Sequence, residues 1–144
     1  MTVDVPESGL VVETRSGTLP ILWTYFPSMP AEEVRLAAPW LTVVRWGYDG
    51  TNNNGMPNAE DNRHMLEFET VCGRMEDQEV CIDAYRRIGA GLREFVFYIA
   101  DQDKFLSTLN GHLATHPRYP IEIKFYKDET WSELQDLIDE FKSL

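Results

Sequence analysis

The sequence predicts an α+β domain: a ferredoxin-like, split βαβ antiparallel sheet with an N-terminal β-hairpin and an added C-terminal helix. Three observations carry this prediction. Leu92–Asp101 is the longest run of aromatic and β-branched residues in the chain, and it is apolar on both alternating faces. Such a strand belongs in the middle of a sheet, covered on both sides. From residue 40 to residue 126 the local patterns alternate as strand, helix, strand, strand, helix, strand, which is the split βαβ order. Right-handed crossovers then put strands 40–48 and 92–100 at the centre, with both crossover helices on one face.

The elements follow in order. Residues 8–15 and 19–26 flank Ser16-Gly17-Thr18 and read as a hairpin. Pro20 assigns its second strand to a sheet edge or delays its start. Residues 31–38 are expected to form a turn or short helix. Trp40–Tyr48 is a strong strand, followed by the polar loop Asp49–Gly55. Asn58 is a suitable N-cap for a helix over 58–77, with Met65, Phe68, Cys72 and Met75 as its buried stripe. Residues 79–87 form the next strand, and Gly89-Ala90-Gly91 turns it into 92–100. Asp101 or Asp103 caps a helix bearing Phe105, Leu106, Leu109 and Leu113, which His116-Pro117 ends. Pro120–Tyr126 alternates as a strand. Thr130 and Glu133 are spaced as a capping box for the last helix. The whole chain, 1–144, reads as one domain with its core at 40–127, its hairpin at 8–27 and its C-terminal helix at 130–142. Val96 and Tyr98 then need a cover: the chain's own ends or a partner.

Composition narrows the function classes. No apolar run approaches the roughly 18 residues of a membrane span. Residues 1–7 lack the basic and apolar regions of a secretory signal, so a cytoplasmic protein with reduced Cys72 and Cys81 is expected. The net charge of −11 disfavours direct nucleic-acid binding, which rests on Lys and Arg. It favours attraction to a basic protein partner.

Five groups of residues are candidates for chemistry or binding. Glu60, His64 and Glu67 are spaced to meet on one helix face and are weak metal or acid–base candidates, against a solvated polar face. Asp49, Thr51, Asn53 and Glu60 fit part of a calcium-loop spacing, but Asn54 stands where glycine is needed. Arg86, Arg87 and Arg93 form a basic spot suited to an anion, or to ion pairs with Asp83 or Glu94. Trp23, Trp40, Trp46 and Trp131 are expected in the core, but Trp46 and Tyr48 become interface anchors if they lie on an uncovered sheet face, with Asp49 as a neighbouring binding candidate. Glu133, Asp136, Asp139 and Glu140 would form an acidic rim for a basic partner. No nucleophile motif, phosphate loop or cofactor motif is present in the sequence.

Three stretches, in order and spacing, resemble a bacterial family known as domain of unknown function six-nine-five. They are Gly55-Met56-Pro57 with the acidic helix start and Leu66–Glu69, then Gly91–Tyr98, then Tyr119–Ile123 with Lys127–Ser132. The resemblance spans about residues 40–135. It supplies no catalytic residues. It implies a regulatory setting, because some relatives join this domain to one similar to an inhibitor of a large endoribonuclease.

The functional expectation is a non-enzymatic, acidic protein-binding module: an inhibitor, immunity or regulatory protein that occludes a basic partner such as a nuclease or toxin. The alternative is a small enzyme or a metal- or ligand-binding domain using the 49–67 loop and helix.

Overall fold

The computed structural model describes residues 9–143. Residues 1–8 lie outside the described residues, and with them Ser8 of the expected hairpin and the stretch read for a secretory signal. Ten elements follow the chain: β1 (Leu10–Ser16), β2 (Leu19–Tyr25), α1 (Glu32–Ala37), β3 (Trp40–Gly47), α2 (Ala59–Asp77), β4 (Ile82–Gly89), β5 (Leu92–Ile99), α3 (Gln102–Leu113), β6 (Ile121–Lys127) and α4 (Ser132–Lys142). The six strands form one antiparallel sheet in the order β1-β2-β4-β5-β3-β6. β3 and β5 are central, as the split βαβ order requires.

The hairpin docks on the outer side of β4, so β2 is an interior strand rather than an edge. Pro20 is tolerated because pairing with β4 begins one residue later, at Ile21 opposite Gly89. A proline there removes no ladder bond on that side. The β4–β5 turn is tighter than the glycine cluster implies. Gly89 pairs with Leu92, which leaves Ala90-Gly91 as a two-residue loop, both at positive φ. That is the geometry of a type I′ hairpin.

Alternation along β5 divides the core into two layers. Phe95, Phe97 and Ile99 face α2 and α3, among Met65, Phe68, Cys72, Met75, Phe105 and Leu109. Val96 and Tyr98 face the other way, onto Trp131, Leu134, Leu137, Ile138 and Phe141 of the C-terminal segment, with Tyr25 from the hairpin and Tyr85 from β4. The second face of β5 is therefore covered by the chain's own ends. Trp131 stacks on Tyr98 with ring centroids 3.9 Å apart and planes 6° from parallel. Such a stack adds about 0.5–1.5 kcal/mol beyond simple burial.

The helix starts follow local chemistry, with one correction. The Asn58 side chain accepts from Asp61 N–H at 2.8 Å, and Asp101 accepts from Lys104 N–H at 3.0 Å. The capping box at α4 does not form. Trp131 occupies the N-cap position in a left-handed conformation, φ 57°, and makes no side-chain cap. Asp128 caps the helix instead. It accepts from Ser132 N–H at 2.9 Å, the Ser132 hydroxyl at 2.8 Å and Glu133 N–H at 3.1 Å. The left-handed turn sends the indole inward and brings the Asp128 carboxylate over the first turn. Among the described residues no helix is long and apolar enough to cross a membrane.

Candidate functional site

The residues first expected to carry function are mostly used inside the fold. Trp46 does not face a partner: it is 2% exposed and packs on Phe68 and Tyr119 under α2. Alternation along β3 puts it on the helix-covered face. Tyr48 is half-buried, and its hydroxyl donates to Gly55 O at 2.6 Å. The same carbonyl accepts from Gly91 N–H at 3.0 Å, so the 49–57 loop is pinned to the β4–β5 turn. Asp49 Oδ1 accepts from both Thr51 N–H and the Thr51 hydroxyl, at 3.0 and 2.5 Å. Those bonds hold its carboxyl below the usual carboxylate range. The two bonds form an Asx turn at the start of the loop.

His64 and Glu67 both lie against Tyr119, a neighbour the helix spacing does not reveal. Glu67 accepts from Tyr119 Oη at 3.3 Å and pairs with Arg63 at 3.5 Å. The same Tyr119 hydroxyl contacts His116 Nδ1 at 2.8 Å, and His64 lies 5.8 Å from the Tyr119 ring. Glu60 is exposed at the helix start. Among the described residues no group of three His, Cys, Asp or Glu side chains is placed to hold a metal ion.

The basic spot is an internal ion cluster. Glu69 bridges Arg86 and Arg93, with the Arg86 contact at 3.0 Å, and Asp83 pairs with Arg86 at 3.3 Å. Arg93 also lies over the Phe95 ring, 4.6 Å from its centroid. Arg87 faces the opposite side, over Trp23, as strand alternation requires. Glu94 pairs with Arg45 at 3.3 Å. Of the acids on α4, Glu133 accepts from the Tyr85 hydroxyl at 3.2 Å and Asp139 from Gln135 at 3.0 Å. Asp136 and Glu140 are exposed along the helix.

A groove outside all these groups has the most distinctive lining. It is about 500 Å³ and runs between α1 and the junction of α2 with β4, at the end of β5. Val34, Ala37, Val80, Ile82 and Ile99 make it apolar. A second hollow shares Glu76, Cys81 and Ile82 with it and adds Phe26 and Asp83. Every charged side chain lining the two, among the described residues, is a carboxylate: Glu33, Glu76, Glu79 and Asp83. Burial raises the Glu76 carboxyl, and the neighbouring Asp83 charge raises it further. Burial also raises Asp83, against the opposing pull of Arg86, and its Oδ1 is buried without a hydrogen-bond partner.

Local structure explains the groove. α2 ends at Asp77 with Gln78 as its C-cap, and Glu79 takes a left-handed conformation, φ 59°, that turns the chain sharply into β4. The opposite wall, α1, is too short to hold itself in place. It is held by the Trp131 indole, which donates to Ala38 O at 2.9 Å and Arg35 O at 3.2 Å. One sequence signal of this site was available. Glu76, Asp77 and Glu79 crowd the C-terminal end of α2, where the helix dipole disfavours negative charge. A chain selected for helix stability alone would carry bases there.

A family model matches residues 31–138, from α1 into α4, and so includes both walls of the groove. The chain belongs to the DUF695 family, a family of unknown function. No curated protein and no solved structure matches it. The family match extends beyond the three stretches first singled out, taking in α1 and most of α4, while the β1–β2 hairpin lies outside it.

Proposed function

We propose that this DUF695 protein is an acidic, non-enzymatic protein-binding module: an inhibitor, immunity or regulatory protein that occludes a basic partner such as a nuclease or toxin. The observation that carries the reading is the groove, an apolar hollow whose charged lining is wholly acidic. Apolar surface supplies affinity, and a single sign of charge selects partners and speeds their approach. The net charge of −11 extends that attraction over the whole molecule. We place it in the cytoplasm, in keeping with two buried free thiols.

Affinity capture followed by calorimetry tests the reading. The captured partner is expected to have a basic surface. Its Kd should weaken at least tenfold between about 50 mM and about 500 mM salt, because screening shortens the reach of exposed charges. An acidic or neutral partner, or an affinity indifferent to salt, would refute it.

A further inference from the structure

The shape of the groove says more about the partner than its charge does. Val34 is 39% exposed on α1 and faces Val80 and Ile82 across the hollow, so there is an apolar seat with room above it. Glu76 and Glu79 stand at one side of that seat, and Asp83 lies in the adjoining hollow with Phe26 and Ile82. A concave site of about 500 Å³ accommodates a few side chains of a protruding segment, not a flat folded surface.

Resting on the binding-module reading, we propose that the groove seats a short basic segment of the protein partner. One apolar side chain packs on Val34, Val80 and Ile82, and flanking lysine or arginine side chains meet Glu76 and Glu79. Charge complementarity argues for this occupant, because the charged side chains lining the hollow, among the described residues, are all carboxylates, which repel an acidic segment and leave a neutral one without ion partners. Aliphatic stems of lysine or arginine also suit the apolar floor beside Phe26.

Two capped pentapeptides serve as probes: acetyl-Lys-Leu-Arg-Leu-Lys-amide, and acetyl-Lys-Gly-Arg-Gly-Lys-amide with the same charge and no apolar side chain. Backbone amide shifts of the full chain locate and quantify binding. The leucine peptide is expected to shift the amides of Val34, Ala37, Val80 and Ile82 and to bind about tenfold more tightly than the glycine peptide, from burial of one leucine. Glu76→Gln with Glu79→Gln should weaken it about fivefold, as should Val34→Ser. Asp136→Asn with Asp139→Asn makes the same charge change on α4 and should leave the Kd within about twofold.

Equal binding of both peptides, with shifts spread over the acidic surface, would overturn the groove while leaving attraction to a basic partner standing. Equal losses from the α2 and α4 pairs would overturn it in favour of the α4 rim. Shifts of the groove amides with protein concentration alone would identify a second copy as the occupant and overturn it too. Binding of neither peptide would count against both the groove and the wider reading.

Discussion

Asp128 should be worth far more than its half-exposed position implies, because it fastens α4 and satisfies a buried phenol at once. Asp128→Ala removes the cap of α4, worth about 1 kcal/mol, and the carboxylate at the helix N-terminus, worth about 0.3–1 kcal/mol. It also strands Tyr98. That side chain is fully buried, and its hydroxyl donates to Asp128 Oδ2 at 2.7 Å. Leaving a buried hydroxyl without an acceptor costs about 1–3 kcal/mol. The total is about 3 kcal/mol, or a fall in Tm of roughly 10 °C for a domain of this size. Urea unfolding followed by circular dichroism measures it. Tyr98→Phe alone should cost about 1 kcal/mol. In the Tyr98→Phe/Asp128→Ala double variant there is no hydroxyl left to strand, so its cost should fall short of the sum by about 1–2 kcal/mol. Burial alone would raise the Asp128 carboxyl, but bonds from Tyr98, Glu133 and Ser132 outweigh it and hold it below the usual range. A lowered folded-state pKa gives stability that is present above the unfolded value, about 3.9, and lost as pH falls through the folded one. The wild type should lose this contribution below about pH 4, and Asp128→Ala should show a flatter acid limb. A cost under about 1 kcal/mol, or strict additivity in the double variant, would refute this reasoning.

Two further outcomes are expected. Glu69→Gln should destabilise by about 2–3 kcal/mol, measured by urea denaturation, because it leaves Arg86 and Arg93 facing each other with the shared acceptor neutralised; the full penalty for a buried pair is reduced by partial exposure. Glu76→Gln should raise the Tm at pH 7 even as it weakens partner binding. Its folded-state pKa is raised, so the ionised form costs stability at neutral pH, and the neutral amide removes that cost. A fall in Tm would contradict this.

The elements were legible in the sequence because each announces itself locally. The 3.6-residue stripe of Met65, Phe68, Cys72 and Met75 fills the α2 face of the core, and the two-sided apolar run of β5 is central. Arg86 and Arg87 diverge as alternation predicts, and Asn58 and Asp101 cap as their side chains favour. The misplaced details depend on partners distant in sequence. Nothing near Glu69 shows that it will sit between Arg86 and Arg93, and nothing near Tyr119 shows that it will join His116 to Glu67. Trp46 lies in the core, as expected of the tryptophans, and its alternative as an interface anchor fails because α2 covers its side of β3, which is a tertiary fact. The Thr130/Glu133 spacing was overridden by the left-handed backbone of Trp131. The groove was least visible of all, since its walls come from three separated segments.

The Trp131 indole gives the groove a place in time. Its bond to Ala38 O ties the first helix to a residue 93 positions later. During synthesis β1 to β5 emerge first, and α1 has no buried residue of its own to hold it against them. The wall can be set only after residue 131 has left the ribosome and the following helix has docked, at roughly 5–20 residues per second. The wall of the groove and the second layer of the core therefore wait on the same C-terminal segment.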